Sequence, residues 1–421
     1  MANKLFNQAK FNFIGEVVSA KEPVVRKKLS ETSKWFRTRM SVGVKADTNS
    51  QFLNMEYIHT DSVKTCKLLG KDGNTFEVNL ADTTSEEVLN KVADITKIII
   101  DLETDQEKKR EYTKLIFKVI NLEKSNADIA KQDIIADADK ATVAENNVKI
   151  AEYNRQIKEL ADNRKVFCHV KDAIEYLNSK LPELAKKKIK VTGNVKCNYY
   201  NGKNTLLYNP SLIEIVSDDT ASQLMVTAEI FYDKDSVIND EKTKQMTING
   251  YIADREDKQD KLYPITLGLN YQNVDKENAE HMVFYNLMLA GFAIHDKKQV
   301  HKIKVEIKVI NGAEVIEFTE DCLTDLQKAQ IEIGQRTLED FRPKGNIYGN
   351  RVQELRYYQP VFMGQFAEGS LEVFPVKELD QYIKTDDSDM KSADITAQDK
   401  KEETAKSGAT DIKASINSLF S

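Results

Sequence analysis

Basic side chains alternate with apolar ones in one segment of this chain, and that pattern is suited to contacting phosphate groups. Alternate residues of a β-strand share a face, so Lys188, Lys190 and Lys196 form one basic face while Ile189 and Val191 fill a core. The segment continues into a hairpin, predicted from an Asn-Gly turn. The hairpin adds three further candidate residues: Tyr199, Tyr200 and Lys203.

A second segment repeats the pattern around the only tryptophan of the chain. Trp35, Arg37 and Arg39 share the strand face opposite Met40 and Val42. The preceding loop adds more cations, of which three are candidate site residues: Lys27, Lys28 and Lys34. Cations that follow a backbone, with aromatic rings on which bases stack, are typical of sites for single-stranded nucleic acid. The sequence therefore predicts such a groove from both segments. In the alternative interpretation, the lysines form an ordinary solvated face and Trp35 belongs to the core.

Catalytic and metal-binding patterns are not found in the sequence. The cysteines are far apart, without the close pairs of a zinc site or disulfide framework: Cys66, Cys168, Cys197 and Cys322. Gly70-Lys71-Asp72-Gly73 lacks the ending of a phosphate-binding loop and predicts a hairpin turn. We therefore expect no catalytic residues, no metal site and no cofactor, and a protein that is not an enzyme.

The elements that position these residues are mainly β-strands. Alternating patterns begin at Lys10 and continue to about Leu80, and a helix is predicted over 170–184 before the Lys188 strand. Strands, then a helix, then a terminal hairpin match a five-stranded OB barrel, in which a helix connects the third and fourth strands. We predict a basic OB-like barrel over residues 1–216.

An insertion over residues 82–165 interrupts this barrel. Its sequence predicts strands at Thr96–Leu102 and Leu115–Leu122, followed by a charged helix. An apolar stripe on that helix, at Ile150, Tyr153 and Ile157, is typical of a helix lying on its own domain.

Residues 217–384 are predicted to form a second, acidic OB-like domain. Lys302-Ile303-Lys304-Val305 repeats Lys188-Ile189-Lys190-Val191, and an Asn-Gly turn follows each. Residues 385–421 contain few large apolar residues and predict a disordered acidic tail. The predicted fold class is mainly β with α insertions (α+β): two tandem OB-like β-barrels plus this tail.

The charges are distributed unevenly along the chain. The chain has 61 basic and 67 acidic residues, and a formal net charge of -6. Residues 1–216 without the insertion carry 21 basic and 12 acidic residues, whereas residues 217–421 carry 25 and 37. This polarity indicates that the first barrel contacts an anionic partner. No apolar run reaches the length of a membrane helix and no signal sequence is found, so we expect a cytoplasmic protein without a membrane partner.

With these features the chain resembles the single-stranded-DNA-binding replication proteins of large bacteriophages, which combine OB folds with an acidic C-terminal tail. The likeness is carried by the Phe13–Val17 strand, the Lys188–Lys196 strand with its hairpin, and the tail from Asp386 to Phe420. It implies a protein that coats single-stranded DNA without strong sequence preference in replication or recombination, in the cytoplasm of a bacterial host. In that family the tail competes with DNA for the groove and recruits replication or recombination proteins. Two alternatives stay open: a structural or scaffolding β protein of a virion, and a non-catalytic subunit of a nuclease or primase complex.

Overall fold

The computed structural model of the protein describes residues 7–102, 106–131, 136–160, 164–185, 187–256, 259–271, 274–275, 277–292, 298–316, 318–343, 347–361 and 372–384. These residues form a mainly β structure in which most strands belong to one large sheet. The predicted acidic tail at 385–421 lies outside the described residues.

The first four strands form the beginning of the sheet. They are β1 (Lys10–Lys28), β2 (Phe36–Ala46), β3 (Asn49–Phe52) and β4 (Met55–His59). β1 pairs antiparallel with β2, and β2 pairs antiparallel with β3 and then with β4. The register of β1 against β2 shifts between Ser19 and Val24. The extra residues of β1 bulge out there, and a bulge of this kind bends a strand.

A small hairpin precedes the insertion and consists of β5 (Thr65–Leu69) and β6 (Thr75–Asn79). The elements that follow are α1 (Glu86–Lys91), β7 (Ile98–Asp101), α2 (Gln106–Ala130), α3 (Asp137–Leu160) and β8 (Lys165–Phe167), of which β8 begins at the last residue of the insertion. The predicted strand at Leu115–Leu122 is wrong, because this run lies within α2. Leu115 and Val119 are buried, whereas Phe117 and Ile120 are exposed. The apolar period is therefore four residues and not two.

The helices α2 and α3 pack mainly on each other. The buried amide of Asn146 donates a hydrogen bond of 2.8 Å to Asn126 across this pair. At the base of α2, the buried Lys109 ammonium donates to the Ile215 carbonyl at 2.7 Å and lies 3.5 Å from the Glu214 carboxylate. Lys109 thus ties the base of the helical hairpin to the sheet.

After the insertion come α4 (Val170–Leu184), β9 (Lys188–Tyr200) and β10 (Lys203–Ile215). The predicted helix and hairpin are both found. Asn201 and Gly202 have φ values of 49° and 74°, as a two-residue hairpin turn requires. β9 pairs antiparallel with both β1 and β10. The Asn54 N–H donates to the Tyr208 carbonyl at 2.8 Å, which joins the loop between β3 and β4 to β10.

The second half contains β11 (Gln223–Tyr232), β12 (Val237–Asp240), β13 (Gln245–Glu256), β14 (Gln259–Asn270), α5 (Ala279–Phe292), β15 (Gln299–Ile316), α6 (Asp325–Glu332), β16 (Ile347–Pro360), β17 (Glu372–Pro375) and α7 (Val376–Leu379). β11 pairs with β1, β13 and β15. β14 meets β16 in parallel at Gly268 and Arg356. One buried apolar cluster runs through both halves, from Phe13 to Ile303.

Candidate nucleic-acid interface

Beyond the bulge in β1, three strand segments extend as an arm, formed by Val24–Lys28, Phe36–Met40 and Met55–His59. Lys27 of β1, Arg37 of β2 and Ile58 of β4 lie opposite one another. The next row on the same side contains Val25, Arg39 and Glu56. Trp35 lies at the tip, where its carbonyl accepts a hydrogen bond from the Leu29 N–H at 3.0 Å. We define the arm face as Lys27, Trp35, Arg37, Arg39 and Ile58.

The arm face is exposed, as the alternating pattern of β2 predicts. Trp35 is 46% exposed, so the interpretation of Trp35 as a core residue is wrong. Arg37 and Arg39 are also exposed, while Thr38 and Met40 between and after them are buried. Burial of the alternate residues fixes the direction of the arginines, because side chains of a strand point to opposite faces in turn.

The remaining two cations of this segment, Lys34 and Lys28, do not belong to the arm face. Lys34 precedes Trp35 in the exposed turn, and Lys28 lies opposite Phe36 on the other side of the arm. Among the described residues, none of the five predicted arm cations forms an ion pair. Their charge is therefore available to an anionic partner. The five are Lys27, Lys28, Lys34, Arg37 and Arg39.

The opposite side of the arm is packed with stacked side chains. The Arg26 guanidinium lies 3.8 Å from the centre of the Phe36 ring and pairs with Asp61. Phe36 stacks on His59 at 5.8 Å, and His59 Nε2 is 2.8 Å from the Thr38 hydroxyl. Burial, and next the Arg26 charge, lower the pKa of His59. This layer supports β2 from behind, so the arm face presents its cations from a packed sheet and not from a loop.

The structure overturns the interpretation of the Lys188 strand as a free basic face. Each predicted lysine of β9 is half-buried and has partners within the protein. Lys188 donates to the carbonyls of Asp218 and Thr220, at 2.8 and 2.6 Å. Lys190 lies 3.4 Å from the Glu214 carboxylate.

Lys196 is the third lysine of this strand, and it forms an ion pair of 2.8 Å with the buried Asp254 carboxylate. The same carboxylate accepts a hydrogen bond from the Cys197 N–H at 2.8 Å. An ion pair that also satisfies a backbone group in a buried site is costly to break, because the remaining charge would lose its partners. The interactions of the β9 lysines are therefore with other parts of the protein, and they stabilise the fold.

The predicted hairpin residues lie away from the arm. β9 runs antiparallel to β1 with Asn194 opposite Lys10 and Lys188 opposite Glu16. The hairpin is consequently beyond the first residue of β1, whereas the arm contains its last residues. Tyr199 is half-buried and its ring packs edge-on to Tyr263 at 6.4 Å. Tyr200, 73% exposed, and Lys203 are open to solvent, but they do not belong to the arm face.

Sequence reasoning missed one aromatic residue on the outer side of this sheet. Phe52 of β3 lies opposite Gly43 of β2 and is 39% exposed. Gly43 is required there, because a Cβ atom would lie 2.5 Å from the Gln51 carbonyl oxygen. The signal was present in the Gln51–Ile58 run, where Phe52 and Ile58 are out of phase with the buried Leu53 and Met55.

Within the described ranges, no group of three His, Cys, Asp or Glu side chains is arranged to hold a metal ion. In the same part of the chain, no helix combines the length and apolar character needed to cross a bilayer. Comparison of the chain with protein-family models, with curated proteins and with solved structures yields no match.

Proposed function

We propose that the protein binds single-stranded DNA without strong sequence preference and coats it during replication or recombination. The observation that carries the proposal is the arm face, where an exposed tryptophan lies beside cations that form no ion pair within the described residues. Phosphates bind to Lys27, Lys34, Arg37 and Arg39, and unpaired bases stack on Trp35. Stacking does not select a base strongly, since every base has a π face.

Phe52 offers a second stacking position on the same side of β2. Gly43, its partner in the ladder, is eight residues from Trp35, which corresponds to about 26 Å along a strand. A nucleic-acid strand following β2 from Trp35 to Phe52 would pass Arg37 and Arg39. That length matches about eight nucleotides at the spacing of a B-form strand, and fewer in an extended strand. The number of nucleotides that the proposed site would cover therefore lies in the range known for one OB fold.

We further propose that each half of the chain is an OB-like barrel, with the boundary near residue 216. In the second half the pairing runs β11–β13–β14–β16–β15 and back to β11. In chain order, α5 lies between β14 and β15, the third and fourth of these strands. In the first half β1 pairs with β2 and β9, β2 pairs with β3 and β4, and β9 pairs with β10. The bond from the Asn54 N–H to the Tyr208 carbonyl links the β3–β4 loop to β10, and α4 precedes β9 as α5 precedes β15. The second and third strands of OB barrels carry the nucleic-acid face. Those strands of the first half carry the arm face.

Titration of fluorescent oligo-dT and a matched duplex, at several salt concentrations, tests the proposal. We expect binding of oligo-dT at low salt, weaker binding of the duplex, and affinity that falls as salt rises through counterion release. Duplex bases are stacked and paired, so they cannot stack on Trp35. No binding of oligo-dT at low salt, or a preference for the duplex, would contradict the proposal.

The resemblance to phage replication proteins supports a competing role for residues 385–421. A chain ending at Lys384 should bind oligo-dT more tightly at low salt than the full chain, since the removed segment carries more acidic than basic residues. The difference should shrink at high salt because screening weakens contacts between exposed charges. Equal affinities of the two chains at low salt would contradict competition.

A second candidate function is that of a structural protein or a non-catalytic subunit, which contacts other proteins through the helical hairpin. Phe117 is 61% exposed on α2, and Ile120 and Val148 are also exposed. Phe117 and Ile120 lie three residues apart on α2, and Val148 lies on α3. Exposed apolar patches are typical of protein-contact sites. Absence of oligo-dT binding, together with loss of assembly in a Phe117→Ser/Ile120→Ser variant, would favour this function over the first.

A further inference from the structure

A polar cleft of about 630 Å³ lies between β10 of the first half and four strands of the second, β13 to β16. Its volume is in the range of sites for small ligands, about 300–1,000 Å³. The lining includes the exposed side chains of Gln245, Gln353 and Lys203. Within the described residues, none of these three side chains forms a hydrogen bond or an ion pair. Two amides and one ammonium group are therefore available to a ligand.

The wall formed by β10 presents unpaired backbone groups at Leu206. This residue lines the cleft and lies opposite Cys197 of β9. The Cys197 N–H donates to the Asp254 carboxylate at 2.8 Å and therefore points away from β10. The two residues of an antiparallel pair direct their backbone groups either both towards each other or both apart. The N–H and C=O of Leu206 consequently point away from β9, and neither has a hydrogen-bond partner within the described chain.

Contacts on both sides of Leu206 keep this open edge short. On one side β10 meets β14, where the Asn204 amide donates to the Pro264 carbonyl at 3.1 Å. On the other side the Tyr208 carbonyl accepts the Asn54 N–H at 2.8 Å. An added peptide strand would need a longer row of unpaired groups. The edge therefore suits a small planar ligand better than a peptide.

The groups at this edge are complementary to an unpaired nucleobase. The Watson–Crick edge of every base carries a donor beside an acceptor, and the C=O and N–H of one extended residue offer the complement. Ile310 and Leu355 also line the cleft, and apolar side chains pack against the ring of a base that has left its stack. The Lys203 ammonium supplies the charge that binds a phosphate. A base joined to a phosphate is a nucleotide.

We propose that the cleft binds one nucleotide, with its base on the Leu206 backbone and its phosphate on Lys203. The exposed amides of Gln245 and Gln353 then face the sugar. Arg356 also lines the cleft, but it pairs with Glu354, so Lys203 is the phosphate contact. A backbone N–H and C=O accept any of the four bases. A base within a duplex does not enter, because its Watson–Crick edge is already paired.

The nucleotide is either free or part of a strand, and Tyr200 distinguishes these two sources. Tyr200 lies opposite Lys203 across the hairpin turn and is 73% exposed. Residues opposite each other in an antiparallel pair share a face, so the ring lies beside the proposed phosphate contact. The next base of a strand can stack on this ring, whereas a free nucleotide has no second base.

Isothermal titration calorimetry with dTMP and dAMP tests the inference without any oligonucleotide. We expect both nucleotides to bind with similar affinity. Lys203→Ala should weaken binding about tenfold, as loss of a charge-assisted contact does. Lys67→Ala, which removes an exposed lysine of β5, is the matched control and should bind as the unmodified protein does.

A pair of substitutions at Leu206 tests the backbone contact. Leu206→Pro removes the N–H, and an edge position tolerates proline because this N–H has no partner in the protein. Leu206→Ala keeps the N–H and controls for the lost side-chain packing. We expect Leu206→Pro to bind dTMP about fivefold more weakly than Leu206→Ala, since one hydrogen bond is lost. Equal affinities of these two variants would overturn the inference.

The dinucleotide d(pTpT) separates the two sources. A site for a strand binds d(pTpT) more tightly than dTMP and loses this gain in Tyr200→Ala, whereas a site for a free nucleotide binds both probes equally in both proteins. No binding of dTMP or dAMP would overturn the inference, as would an equal affinity for inorganic phosphate, since the base would then make no contact. A loss of dTMP binding in Trp35→Ala as large as that in Lys203→Ala would place the nucleotide on the arm face instead. None of these results decides whether the arm face binds oligo-dT, which has its own titration.

Discussion

The charge of the arm face makes a quantitative prediction for a pair of arginine substitutions. With four phosphate contacts, at Lys27, Lys34, Arg37 and Arg39, the logarithm of affinity for single strands falls with the logarithm of salt with a slope of about -2.8, at about 0.7 per contact. This slope corresponds to about fiftyfold weaker binding at 200 mM than at 50 mM salt. In Arg37→Ala/Arg39→Ala the slope should be about -1.4, and the same change of salt should weaken binding only about sevenfold.

The assay is fluorescence anisotropy of labelled oligo-dT at five or more salt concentrations. Lys188→Ala/Lys190→Ala is the matched control, since it removes the same charge from lysines that already have partners. Glu214 keeps a second cation in this control, because Lys109 lies 3.5 Å from it. The control should keep the slope of the unmodified protein. Equal loss of slope in both variants would refute the reasoning, because net charge and not the arm face would then govern binding. Thermal unfolding of each variant confirms that it is folded.

Three further predictions concern single residues. Trp35→Ala should weaken oligo-dT binding by about 1–3 kcal/mol, as loss of one stacked base does, whereas Trp35→Phe should retain much of the affinity. Because Trp35 is the only tryptophan of the chain, bound oligo-dT should also quench the tryptophan fluorescence. Unchanged fluorescence at saturation would contradict stacking. Burial, and next the Asp254 charge, raise the pKa of Cys197 to about 12. Iodoacetamide reacts with the thiolate form of cysteine. At pH 8 it should therefore label the exposed Cys322 and leave Cys197 unmodified until the protein unfolds. Burial is also the main reason why the pKa values of His59 and His169 are lowered. The folded state then binds fewer protons than the unfolded one, so stability is fully present above the ordinary histidine pKa of about 6.5 and falls as the pH drops below it. His59→Gln should make the unfolding midpoint less sensitive to pH below that value.

Much of the local structure could be predicted because it depends on neighbours in the sequence. The alternation of β2 placed Arg37 and Arg39 outward, and Asn201-Gly202 formed its turn as predicted. The run at Leu115–Leu122 was assigned wrongly, because a short apolar stretch with β-branched residues fits a strand and a buried helix equally well. The burial of Leu115 and Val119, four residues apart, identifies the helix. This burial depends on the tertiary structure and cannot be read from the sequence.

In the candidate site, too, some features follow from the sequence and others only from the tertiary structure. The sequence by itself determined which side chains of a strand share a face, because the side-chain period of two is a local property of the backbone. Only the tertiary structure decided which of those faces keeps its charge available. Lys196 meets Asp254, which is 58 residues away in the chain, and Lys190 meets Glu214 across a strand pair. The corresponding arginines of the arm have no such partners among the described residues. Two basic strands with the same pattern thus differ in how much of their charge is paired within the protein, because ion pairing depends on which distant strands the fold brings together.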